Sequence, residues 1–258
     1  MSAPAATTAT IVSLRHVGKT FDSGTTALAG FDLDVRGGEF VSLLGPSGCG
    51  KSTALRIVAG LSAPSAGTVA WPQGERRIGF VFQEPTLMPW ATVSANVALP
   101  LRLAHADSRT TDSAVAQSLA RVGLTDFSGA YPRELSGGMK MRASIARALV
   151  TEPDLLLMDE PFAALDEISR FKLNNDLLSL WQSLRRTVVF VTHSVFESVY
   201  LSQRILVMSP RPGRVVAEIT IPAAYPRDEE FRTSAEYAGY CRQVAQALAA
   251  AMAGERAA

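Results

Sequence analysis

The sequence predicts a layered α/β domain, and three observations carry that expectation. Four short runs, Phe40 to Leu44, Ile78 to Phe82, Leu155 to Met158 and Val188 to Val191, are compact and apolar, as strands buried on both faces are. Each lies near a stretch of helical periodicity, the pattern of a sheet covered by helices. The first run stops abruptly at Gly45-Pro46-Ser47-Gly48-Cys49-Gly50-Lys51-Ser52, a glycine-rich turn between a strand and the helix-forming stretch Ala54 to Ala59.

Upstream of that turn, Ile11 to Val17 alternates loosely. Phe31, Leu33 and Val35 alternate with acids, which predicts half-exposed strands at an antiparallel edge. From Thr92 to Gly123 the period turns helical, with Val93, Val97 and Leu101, then Val115, Leu119 and Val122, and Pro100 as the expected interruption. After Pro210 and Pro212 a short strand runs through Val215, Val216, Ile219 and Ile221, and from Glu229 the Ala-rich tail reads as helical.

Composition narrows the partners. A chain of 258 residues with 47 % apolar content supports a sizeable core. Its 19 % charged residues, net charge of +1 and lack of a Lys or Arg run argue against tracking along nucleic acid. Two cysteines, Cys49 and Cys241, are too few for a disulfide framework and fit a reducing compartment. Met1 to Thr10 lacks the basic start and apolar stretch of a signal peptide, and no run reaches the roughly 18 apolar residues that span a bilayer. A membrane role is therefore expected only through a partner.

Gly45 to Ser52 matches the phosphate-loop pattern in its required strand–turn–helix context. Its glycines let the backbone curl so that N–H groups face phosphate oxygens, the helix adds its positive end, Lys51 adds a mobile charge, and Ser52 can hold magnesium. Leu155 to Met158 ends in Asp159-Glu160, and strand alternation sends the two carboxylates in different directions, so different jobs are expected of them. Asp159 is suited to magnesium through water, and Glu160 to orienting or deprotonating an attacking water. Leu135-Ser136-Gly137-Gly138-Met139 precedes the helical stretch Lys140 to Val150, a second anion site of helix N-terminal type.

With these three elements in this order, the sequence closely resembles the ATP-binding cassette (ABC) family over roughly residues 11 to 220. The resemblance implies a P-loop NTPase of ABC type, with a mostly parallel sheet core, an antiparallel β subdomain and a helical subdomain. It sets expected limits at 10–222, with a helical insertion at about 92–150 and a helical appendage at 223–258. Expected ATP contacts are Phe21 against adenine, Gly45, Pro46, Ser47, Gly48, Cys49, Gly50, Lys51, Ser52 and Thr53 on the phosphates, and Ser136, Gly137, Gly138 and Asp166. Magnesium falls to Ser52, Gln83 and Asp159, and catalysis to Glu160, His193 and Gln83. Family geometry further implies a head-to-tail homodimer, each ATP held between the phosphate loop of one copy and the signature of the other.

Met139 stands where the family usually has glutamine, which resembles importers of nitrate, sulfonate and taurine. Met141 replaces a second glutamine, and nothing in the sequence accounts for it. Gln83 to Trp90 leaves Leu87, Met88 and Trp90 beside two prolines, where such transporters receive a helix of the membrane subunit. The expected role is thus the ATPase of an importer on the cytoplasmic face of the inner membrane. Its expected partners are integral membrane permease subunits and, indirectly, an extracytoplasmic solute-binding protein. A soluble ABC clamp on nucleic acid or the ribosome is disfavoured by the charge balance and the single cassette. A non-hydrolysing regulator would lack Glu160 or His193.

Overall fold

The computed structural model describes residues 9–74 and 76–253. The N-terminal stretch read as lacking a signal peptide, up to residue 8, and the last five residues of the appendage lie outside these. Three strands, β1 (Thr10–Thr20), β2 (Thr26–Arg36) and, after α1 (Lys51–Val58), β4 (Ala66–Ala70), form an antiparallel sheet in the order β2-β1-β4. The larger sheet contains β3 (Phe40–Leu44), β5 (Ile78–Val81), β6 (Leu155–Asp159), β7 (Thr187–Thr192), β8 (Arg204–Met208) and β9 (Val215–Thr220). Its order is β5-β6-β7-β3-β8-β9, all parallel except β9.

The central strands are buried on both faces because two separate cores enclose them. Phe40, Leu44, Leu156, Met158, Val188 and Phe190 point into a core on the helical side. Their neighbours Val41, Leu43, Leu155, Leu157, Val189 and Val191 point into a core shared with α1 and the antiparallel sheet. Period-2 alternation survives, hidden in the sequence because both faces are apolar. The strands β4 and β8 were not legible. The first is almost wholly exposed, with only Val69 packed on a core; the second opens on Arg204, a charge buried by pairing with Glu39 at 2.7 Å.

Between β5 and β6 lie α2 (Val93–Leu103), α3 (Ser108–Arg121) and α4 (Gly137–Leu149). Contrary to expectation, Pro100 does not interrupt: it lies within α2, and Ala104 N–H still bonds its carbonyl. Standing near the helix end, its ring removes only the donor to the Asn96 carbonyl. Met141 is buried in α4 at 2 % exposure, in the helical-side core, so an apolar residue fits there and a glutamine would need a buried partner. The chain continues through α5 (Glu167–Leu184), α6 (Val195–Leu201), α7 (Glu229–Thr233) and α8 (Ala235–Ala253). Tyr237, Cys241 and Val244 of α8 join the same core. No helix among the described residues is long and apolar enough to cross a membrane.

Candidate functional site

Parallel pairing brings the C-terminal ends of β3, β6 and β7 to one edge, with Leu44 beside Thr192 and Asp159 beside Val191. The next residues, Gly45, Glu160 and His193, therefore meet at the carboxyl edge of the sheet, where ligands of open α/β sheets bind. Gly45 cannot carry a side chain: a Cβ there would lie 2.9 Å from Cys49 Sγ. Gly48 and Gly50 have φ of 77° and 105°, the left-handed region that glycine enters without strain, and a Cβ on Gly50 would strike the Ala27 carbonyl at 2.7 Å. These turns curl the loop over the N-terminus of α1.

Lys51 is 3 % exposed, and its Nζ donates to the carbonyls of Gly45 at 2.8 Å and Pro46 at 2.9 Å while lying 3.3 Å from Glu160 Oε1. The ammonium is thus held over the loop by groups that phosphate oxygens can replace. Ser47 is exposed at the loop tip, Cys49 points inward, and Thr53 is half-buried on α1. Burial pushes the Cys49 thiol up, so the side chain is an inert packing group.

Ser52 Oγ donates to Asp159 Oδ1 at 2.7 Å. Burial raises the Asp159 carboxyl above its ordinary range, against the opposing pull of the Ser52 hydroxyl. A buried carboxylate facing a hydroxyl forms a sparse set of hard oxygen donors. That suits magnesium, which keeps most of its waters and takes few protein ligands. Glu160 turns the opposite way at φ 44°, its N–H bonded to the Val191 carbonyl at 3.0 Å, and its Oε2 meets His193 Nδ1 at 2.9 Å. A non-glycine residue in the left-handed region is costly and is held here by its surroundings. The pair leaves Glu160 able to accept a proton from water while His193 fixes its orientation.

Phe21 is 43 % exposed, with Lys19 Nζ 5.3 Å from its ring centre, and shares a cleft with Thr25, Gly48, Lys51, Ser52 and Glu160. An aromatic face left open at a phosphate-binding cleft is available for stacking on a base. Gln83 follows β5, one strand over from Asp159, and is exposed outside the lining of that cleft.

Ser136, Gly137, Gly138 and Asp166 stand apart from the cleft. Ser136 caps α4, its Oγ accepting from Met139 N–H at 3.3 Å, and Ser136 and Gly137 are exposed. Asp166 caps α5, accepting from Ser169 N–H at 2.9 Å, and these bonds hold its carboxyl below the ordinary range. One copy therefore assembles Gly45 to Thr53, Asp159, Glu160 and His193, and leaves Ser136 to Gly138 facing outward.

Sequence reading missed Arg211, which lines the cleft and donates through Nε and Nη2 to the Gly48 carbonyl at 3.1 and 3.0 Å. The only local signal was an arginine between Pro210 and Pro212 in a turn, 163 residues from its partner. Arg147 was missed as well: it ties the carbonyls of Pro85 and Thr86 to α4 at 2.8 Å each.

A family model described as ABC transporter matches residues 28–163. The chain is 48 % identical over 218 residues to the aliphatic sulfonates import ATP-binding protein SsuB 1 of Pseudomonas syringae, spanning 84 % of this chain and 89 % of that protein. Among solved structures it is similar to cbiO1 from Clostridium perfringens, part of the ABC transporter complex cbiONQ. The TM-score there is 0.75 at 27 % identity, over 82 % of this chain and 89 % of that one. A dimeric ATP-binding cassette in a post-hydrolysis state with ADP and Pi superposes with TM-score 0.72 at 33 % identity, over 83 % of this chain and all of the other. The phosphate loop falls inside the matched region, and fold and sequence agree across more than four-fifths of the chain. The chain belongs to the ABC transporter family and is an ATP-binding, ATP-hydrolysing subunit.

Proposed function

We propose that the chain drives an importer through an ATP site shared between two copies, a reading supported by the separation of its two anion-binding elements. Gly48 to Thr53 contribute to the cleft while Ser136 and Gly137 are exposed outside its lining, which supports a site completed by a second copy. In this reading ATP joins two copies through the γ-phosphate, and hydrolysis removes the group they share. Lys51 and the loop N–H groups bind the phosphates, and Phe21 receives the base. Ser52, Asp159 and Gln83 would hold magnesium, which would supply charge neutralisation at the phosphates. Glu160 takes the proton of the attacking water and His193 orients it, while Asp166 supports the facing edge from the α5 cap.

The import direction rests on the 48 % identity to a sulfonate import ATP-binding protein and on exposed Trp90, 77 % accessible beside half-buried Leu87 and Met88. This patch is a surface for a helix of a membrane subunit. We assign the subunit to the cytoplasmic face of the inner membrane, serving an anionic or organosulfur solute delivered by a separate binding protein. Glu160→Gln should bind ATP, stop turnover and accumulate as a dimer on light scattering. Adding Ser136→Ala should return it to monomer. A Glu160→Gln protein that hydrolyses ATP at the native rate defeats the assignment of the base, and one that stays monomeric with ATP bound defeats the shared site.

A further inference from the structure

The turn between β8 and β9 is built against the phosphate loop. Ser209 N–H bonds the Arg214 carbonyl at 2.9 Å, and Ser209 Oγ accepts from Arg214 N–H at 3.1 Å, which closes the turn. Gly213 N–H donates to the Ala27 carbonyl at 2.8 Å, and Ala29 N–H donates to the Gly213 carbonyl at 3.2 Å. A Cβ on Gly213 would lie 2.1 Å from the Cys49 carbonyl, so only glycine lets the turn approach this closely. The turn is thereby fastened to both walls of the cleft: to the loop, and to the hairpin that carries Phe21 and Thr25.

Arg211 projects from this turn. Its Nε and Nη2 share the Gly48 carbonyl, while among the described residues its Nη1 has no hydrogen-bond partner and no carboxylate pairs with it. It is exposed and lines the cleft with Phe21, Thr25, Gly48 and Lys51. Lys51 instead is tied to Gly45, Pro46 and Glu160, on the catalytic side. The cleft thus has two cations, one on the side where hydrolysis occurs and one whose turn is joined to the hairpin bearing the base platform. A guanidinium with an unused N–H edge at a phosphate site is a strong charge-assisted donor.

We propose that Arg211 is a nucleotide-binding residue that contacts the phosphates nearest the ribose, the part ADP and ATP have in common. This rests on the cleft being the nucleotide site, and Lys51→Ala serves as the control for that. Arg211→Ala should raise the Kd for ADP and the KM for ATP together, each about tenfold, with kcat within about twofold. Arg211→Lys and Arg211→Gln both keep a donor for the Gly48 carbonyl and so separate charge from bracing. The lysine variant should retain most of the affinity, and the glutamine variant should lose it as alanine does. Native ADP affinity in Arg211→Ala, or full recovery in Arg211→Gln, overturns the proposal. If Lys51→Ala also leaves nucleotide affinity unchanged, the cleft assignment itself has failed; if it abolishes binding while Arg211→Ala does not, only the role of Arg211 has.

Discussion

Glu197 is a buried charge packed behind the end of β7. It is 7 % exposed on α6, accepts from the Thr192 hydroxyl and lies 3.7 Å from Arg170 Nε, yet burial outweighs both and raises its carboxyl above its ordinary value of 4.5. As pH rises from 4.5 through that raised value, the folded protein must release a proton that the unfolded chain has already lost, so stability falls. Glu197→Gln should therefore raise the melting temperature at pH 8 and match the native protein near pH 4. Equal gains at both values would show that packing, not ionisation, sets the difference. At the site itself, Lys51→Ala should abolish tight ATP binding, read by nucleotide titration, because the buried ammonium lies over the loop with Glu160 beside it. Retained affinity would remove Lys51 from the phosphate site.

Between elements, one arginine joins the tail to the ATPase core. Arg227 is 3 % exposed and donates to five carbonyls, those of Val199, Tyr200 and Ser202 at the end of α6 and of Ile221 and Ala223 beyond β9. Tyr225 stacks on it at 4.2 Å, and burial pushes that phenol up to about 12. No carboxylate pairs with Arg227 among the described residues, so its charge is balanced by carbonyl dipoles and aromatic faces. Arg227→Met keeps the volume and orphans those carbonyls, and should cost about 3 kcal/mol, a loss of roughly 10 °C in Tm. A shift under about 2 °C would mean that water replaces the guanidinium there. Since α6 follows directly on His193 and Ser194, and Tyr237 of α8 donates to the Phe196 carbonyl at 3.0 Å, the tail braces the helix that begins just after His193.

Across the whole molecule, the carboxyl edge of the sheet and the proposed membrane-subunit surface are joined by the segment after β5. Asn96 is fully buried and clamps that segment, accepting from Met88 N–H at 2.7 Å and donating to the carbonyls of Met88, Ala91 and Thr92. Arg147 holds its other end at Pro85 and Thr86. Gln83 therefore connects to Trp90 through a stretch pinned at both ends. Trp90→Ala should leave ATP hydrolysis by the isolated subunit unchanged and reduce transport by the reconstituted complex at least about tenfold, the scale of losing an interface aromatic. Loss of basal hydrolysis with the fold intact would make Trp90 part of the catalytic unit instead.

Much of this was written locally. A glycine-rich turn between a strand and a helix, an apolar run closing on Asp159 and Glu160, and a serine ahead of two glycines each announce their chemistry within about ten residues, because helix and strand periods and turn geometry are short-range properties. Tertiary structure decided what short range does not encode. It joined Ser52 to Asp159 over 107 residues and Arg211 to Gly48 over 163, buried Met141, and kept Pro100 inside a helix. It also turned Ser136 away from the phosphate loop of its own chain. Those outcomes depend on which surfaces the sheet order brings together, and sheet order is a property of the packed cores rather than of any one segment.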